Sequence, residues 1–176
     1  EKGVMTLIDE PRANTLLEQL GTSTEAKACG GSASNTTLLL AKLGGNAFYS
    51  GRVGDDTMGD TFYETLKQQG VDSNIPAKDR KPGATGTCLV MVTPDADRTM
   101  NTHLGVAGSF SLKDLDAVSL KNAEYFYIEG YLVSSDSGFE AIIDGCRLAK
   151  SHDTKIVLTI PCSNLVKGLK SRFEEI

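Results

Sequence analysis

Two adjacent glycines, Gly30 and Gly31, stand directly before a run of small polar side chains, Ser32, Ser34, Asn35, Thr36 and Thr37. Glycines let a backbone approach a ligand closely, and a helix beginning behind them offers oriented N–H donors. Asn35, one turn in, carries an amide that both donates and accepts, which suits a sugar hydroxyl. The same residues also fit a tight strand-to-helix turn with polar caps, and the glycine pair alone does not separate the two readings. Asp55 and Asp56 invite a reading as paired catalytic carboxylates, but they precede a helical pattern, where capping and dipole complementarity explain them. Glu129 stands at the end of a strand-like run, where α/β sheets bind ligands, or is an ordinary surface acid. Thr87, Cys88 and Leu89 either line a pocket or belong to an edge strand.

The remaining reactive side chains point to no metal or redox chemistry. Cys29, Cys88, Cys146 and Cys162 are widely separated, three of them in apolar-patterned segments, and they read as reduced, mostly buried thiols. His103 and His152 have no matching ligand cluster. No Gly-x-x-x-x-Gly-Lys-Ser/Thr loop occurs, which excludes a P-loop enzyme. The net charge of -5, from 18 basic and 23 acidic residues, leaves no broad basic surface for nucleic acid or anionic lipid. No apolar stretch is long enough to span a bilayer, and a soluble, cytoplasmic protein is expected.

The elements that must position these residues are punctuated by Gly and Pro. Val4 to Ile8 reads as a strand and Ala13 to Leu20 as a helix. A helix over Ser32 to Leu43 carries Leu39, Leu40 and Leu43 and stops at Gly44-Gly45. Phe48 to Val53 reads as a strand, followed by a helix with Phe62 and Leu66 that ends at Gly70. Thr85 to Thr93 and Arg98 to His103 are extended and flank a turn at Pro94-Asp95-Ala96-Asp97. A short helix from Ser111 carries Leu115 and Val118, and Tyr125 to Ile128 is a strand. Phe139, Ile142, Ile143 and Cys146 share one helical face, Ile156 to Ile160 is a strand, and the chain turns helical from Asn164. Strands alternating with helices predict a parallel α/β sheet. The stretch 71–103, with segment 1–9, predicts a small β-sheet lid carried on that core.

The order of motifs carries a resemblance. Gly30-Gly31-Ser32-Ala33-Ser34-Asn35 is followed by Gly44, Gly51-Arg52-Val53-Gly54-Asp55-Asp56, Gly70-Val71-Asp72 and Thr85-Gly86-Thr87. Thr93-Pro94-Asp95-Ala96-Asp97-Arg98-Thr99-Met100 and Tyr127-Ile128-Glu129-Gly130-Tyr131-Leu132 complete the set. Together they resemble the ribokinase (PfkB) family of carbohydrate and nucleoside kinases, in particular its adenosine-kinase-like branch, over nearly the whole chain. The resemblance implies a ribokinase-like three-layer α/β/α core, incomplete here, with a β-sheet lid. It implies phosphoryl transfer from ATP, with Mg2+, to a hydroxyl of a sugar or nucleoside, adenosine or a related ribosyl substrate being favoured. Gly30, Gly31 and Asn35 would hold substrate hydroxyls, with Thr87 and Glu129 beside them. Arg98 would offset charge on the transferred phosphoryl group, unless it is a solvated turn residue next to Asp95 and Asp97. The family's members act as monomers or as lid-mediated homodimers.

The family's Gly-Ala-Gly-Asp motif, whose aspartate is the base, is not in these residues. Neither is its Asn-x-x-Glu element associated with magnesium, nor its first strand. The ATP and Mg2+ sites are therefore expected mostly outside this chain, which alone is expected to lack turnover. The competing reading is a non-catalytic remnant that binds a nucleoside or sugar, or pairs with another polypeptide. A dinucleotide-binding oxidoreductase is weaker still, because Gly-x-Gly-x-x-Gly is missing.

Overall fold

A computed structural model of the chain describes residues 2–21, 27–161 and 163–176. Two units of strand, helix and parallel strand build its α/β part. In the first, β2 (Phe48–Tyr49) pairs in parallel with β3 (Asp72–Ser73), Phe48 opposite Asp72, and α3 (Thr57–Gln68) connects them. Val53, Leu66, Val71 and Ile75 form its core, with Leu38, Phe62 and Tyr63 packed against them. In the second, β6 (Tyr125–Ile128) pairs in parallel with β7 (Lys155–Leu158), linked by α5 (Asp136–Lys150). Ile128, Val133, Ile142 and Cys146 are its buried centre. A helical crossover is what parallel neighbours require, and the apolar face of each helix covers its own strands.

A third sheet has the order β1-β5-β4. β1 (Met5–Leu7) runs parallel to β5 (Arg98–His103), and β5 runs antiparallel to β4 (Thr87–Val92). Thr87 faces His103 and Val92 faces Arg98 across the β4–β5 ladder. Lys2 pairs with Asp95 and, at 3.6 Å, with Asp97 in the hairpin turn. Asp9 accepts the Arg12 N–H and starts α1 (Glu10–Leu20), which packs beside β5. Residues 72–73, within the stretch expected to form the lid, pair with β2 instead of joining this sheet.

Several elements are shorter than their apolar patterns. The strand expected over Phe48–Val53 stops at Tyr49, where pairing with β3 ends, and Arg52 beyond it is bonded to Asp114. The strand expected from Thr85 begins at Thr87, since Thr85 is held by Asp56. The helix expected from Ser111 is two pieces: a 3-10 turn over Leu112–Asp114, capped by Ser111, and α4 (Ala117–Asn122), capped by Asp116. The C-terminal helix likewise divides into α6 (Ser163–Gly168) and α7 (Lys170–Glu175). In α2 (Ser32–Lys42), Leu38 and Ala41 pack on the core, whereas Leu39 and Leu40, like Leu43 just beyond, are exposed. The cysteines are not mostly buried: Cys146 is, Cys29 is half-buried, and strand alternation exposes Cys88. Cys162 lies outside the described residues.

Candidate functional site

The start of α2 is built for a close approach. Gly31 has φ 103° and ψ 137°, a backbone region that L side chains rarely enter. Buried Ser34 turns its hydroxyl back between the carbonyls of Gly30 and Gly31, at 2.6 and 2.9 Å. The Asn35 N–H closes the first turn on the Gly31 carbonyl at 2.9 Å. No side chain caps this helix and its first turn holds no acidic residue, so its N-terminal donors and positive dipole end are not answered internally. At Gly30 a Cβ would meet nothing within 4 Å, so the open space there is not required by the protein's own packing. Asn35 is exposed, and no described residue engages its side-chain amide.

Two strand ends come up to this loop. The Thr36 hydroxyl lies 3.3 Å from the Tyr127 hydroxyl of β6. Tyr49, last residue of β2, has its phenol pushed up to about 12, first by burial and then by the negative charge of the Cys29 and Glu129 groups. It is therefore a neutral donor at physiological pH. Burial also pushes the Cys29 thiol up, partly offset by the Ser34 hydroxyl. Glu129 follows β6 directly. One of its oxygens accepts the Tyr131 N–H at 3.0 Å, and the other lies 3.5 Å from the Thr159 hydroxyl. It thus caps the turn at Gly130–Ser134 while facing Tyr49. Tyr49 and Glu129 thus stand at the carboxyl ends of parallel strands, the usual ligand position in such sheets.

Asp56 serves structure. It caps α3 through the Gly59 N–H at 2.7 Å and accepts both the N–H and the hydroxyl of Thr85, at 2.7 and 2.6 Å. Burial opposes its charge, but the bonds from Thr85 and Gly59, with Arg80 beyond, hold its carboxyl below the usual range.

Arg98 is exposed at the start of β5, and the two acids beside it are taken by Lys2. No hydrogen bond or ion pair among the described residues joins Arg98 or Thr87 to the Gly30–Asn35 loop. Register further separates the two: residues directly opposite share a face, so Arg98 shares one with Val92, Val90 and Cys88, and Thr87 lies on the other. Gly30, Gly31 and Asn35 thus share the start of α2, Glu129 follows β6, and Thr87 and Arg98 lie on opposite faces and at opposite ends of the β4–β5 ladder. Tyr49 and Ser34 were not expected here. Their small polar or aromatic character was visible, but the approach of β6 that makes Tyr49 part of the site was not.

Two surface grooves of about 270 and 450 Å³ flank α5 and contain no residue of this loop. Among the described residues no group of three or more His, Cys, Asp and Glu is placed to hold a metal ion. No helix among them is long and apolar enough to cross a membrane.

The model of the pfkB family of carbohydrate kinases matches residues 12–172. The chain belongs to that family. Its structure is similar to that of the adenosine kinase from Sinorhizobium meliloti, with a TM-score of 0.90 and 34% identity over 99% of this chain and 53% of the other. A probable sugar kinase from Rhizobium etli CFN 42 gives a TM-score of 0.89 at 35% identity, covering 98% of this chain and 52% of that one. Among curated proteins, the 5-dehydro-2-deoxygluconokinase of Geobacillus kaustophilus is 26% identical over 141 residues, 79% of this chain and 42% of the relative. The chain thus spans about half the length of the pfkB proteins it matches, and the expected ribokinase-like α/β fold is present over that span.

Proposed function

We propose that this chain carries the acceptor side of a kinase that moves the terminal phosphoryl group of ATP onto a hydroxyl of a sugar or nucleoside. In that reaction the acceptor oxygen forms a bond to phosphorus, ADP leaves, and the hydroxyl proton is released. A ribosyl acceptor such as adenosine is the favoured class, supported by the similarity to the Sinorhizobium meliloti adenosine kinase. The observation that carries this reading is the loop at Gly30–Gly31. It leaves open space, unanswered helix donors and a free Asn35 amide at the start of α2, whose Thr36 lies beside Tyr127 of β6.

In this reading the loop N–H groups and Asn35 grip adjacent hydroxyls, and Tyr49 donates from below. Glu129, already oriented by the Tyr131 N–H, accepts from the ligand or holds its neighbours in place. Arg98, unengaged by Asp95 and Asp97, meets negative charge on the phosphoryl oxygens when β4 and β5 cover the site. ATP is a substrate here, and no step is assigned to a metal. Isothermal titration of the chain with adenosine, ribose and fructose tests the acceptor role. Binding of at least one is expected, weakened about ten-fold or more by Asn35→Ala, the loss of a hydrogen bond to a buried ligand group. Absence of binding to all three, or an Asn35→Ala variant with wild-type affinity, would remove the proposal.

A further inference from the structure

The crossings that carry the chain between the β4–β5 hairpin and the α/β part have their own lock. The chain enters the β4–β5 hairpin through residues 83–86 and leaves it through 104–106. These two crossings lie backbone to backbone: the Val106 N–H donates to the Ala84 carbonyl at 2.9 Å. A Cβ on Gly105 would fall 2.1 Å from that same carbonyl oxygen. The entering crossing is also pressed on the core, since a Cβ on Gly54 would fall 2.0 Å from the Gly83 carbonyl oxygen. Four hydrogen bonds close this junction. Asp56 takes the Thr85 N–H and hydroxyl with separate oxygens, Thr85 in turn accepts the Gly54 N–H at 2.9 Å, and Asp56 keeps the Gly59 N–H.

Behind them Arg80, its side chain only 2% exposed, braces the same point. It donates to the Gly54 carbonyl at 3.3 Å and to Asp60 at 2.9 Å. It also donates to the Pro76 and Ala77 carbonyls at 2.8 and 3.0 Å. A buried guanidinium with this many fixed acceptors is rigidly placed. Helix capping alone accounts for one bond to Asp56 and for none of the bonds from Thr85.

We infer that Asp56 and Thr85, braced by Arg80, are positioning residues that set the angle at which the β1-β5-β4 sheet stands on the α/β core. That this angle matters for covering an acceptor rests on the function proposed above. The clasp itself does not. Two variants separate it from capping. Thr85→Val removes the hydroxyl and leaves the α3 cap untouched, whereas Asp56→Ser retains a capping oxygen for Gly59 but cannot hold both Thr85 donors.

Hydrogen exchange followed by mass spectrometry on the whole chain, without ligand, reads the result. Both variants are expected to raise exchange across residues 87–103 about ten-fold while α3 and α5 keep their protection, and Thr85→Ser should restore the wild-type pattern. Unchanged protection of 87–103 would overturn the inference. So would an equal loss in 87–103, α3 and α5, which would reduce the clasp to general stability. Adenosine affinity is measured alongside. A wild-type chain that binds nothing would count against the proposed function only, the exchange pattern still deciding the clasp.

Discussion

Tyr49 shows how one side chain takes its chemistry from its surroundings. Its ring lies 5.6 Å from that of Phe62 and passes so close to Gly51 that a Cβ there would sit 2.3 Å from it. Burial first, and then the negative charge of the Cys29 and Glu129 groups, resist ionisation of its hydroxyl. A phenol held up to about 12 against 10.0 favours the folded state wherever it stays protonated. That contribution is complete below pH 10, declines as pH rises, and is gone once the folded phenol itself ionises. The tyrosinate absorbance of the wild-type chain is therefore expected to show a late step near pH 12 that Tyr49→Phe lacks. A late step surviving in the variant would place the perturbed phenol elsewhere. Asp56 was legible from its position before a helix. Its bonds to Thr85, 29 residues on, were not, because nothing local announces them.

Among the elements, the start of α3 at Asp56 was readable because its signal is local, whereas the helices expected from Ala13 and Ser111 begin elsewhere. Asp9, Asp56, Asp116 and Ser135 each accept an N–H from the first turn of the helix that follows. Ser135 caps α5 through the Gly138 N–H at 3.1 Å, and α5 covers the second core. Ser135→Ala is expected to lower stability by about 1 kcal/mol, with Ser135→Asp close to wild type, as measured by urea unfolding. An alanine variant as stable as wild type would mean that the cap is replaced by water. Strand lengths were less readable. The strand expected to run on to Val53 ends at Tyr49, where its pairing with β3 stops. The break between Leu112–Asp114 and α4 likewise follows from Asp114 being used twice. It holds the Ser111 N–H at 2.8 Å and the Arg52 guanidinium at 2.7 Å.

The whole molecule depends on ties between its units. Arg52, from the first unit, reaches Asp114 and the Ser109 carbonyl, in the segment that leads to the second unit. The Arg52 and Asp114 side chains are 10% and 18% exposed, so this pair is shielded from solvent and each partner leaves an unanswered group if the other goes. Arg52→Ala is expected to cost about 3 kcal/mol in urea unfolding. Its effect should be non-additive with Asp114→Ala by about 1 kcal/mol or more. Additive losses would mean that the two side chains act independently. The pfkB fold is thus present here as two small cores, a third sheet and a few buried polar ties that set their relation.

The family, the alternation of strands and helices, the glycine loop with Asn35 and the capping role of Asp56 could all be read from residue order alone. Each depends on spacing within a few turns of chain or on a collinear set of motifs. Tertiary structure alone decided which groups meet. It brought Thr36 beside Tyr127, buried Tyr49 under the influence of Cys29 and Glu129, and tied Thr85 to Asp56. The register of β4 on β5 put Thr87 and Arg98 on opposite faces. A strand's alternation is local, but which face it turns to a neighbour is set only by pairing across the sheet.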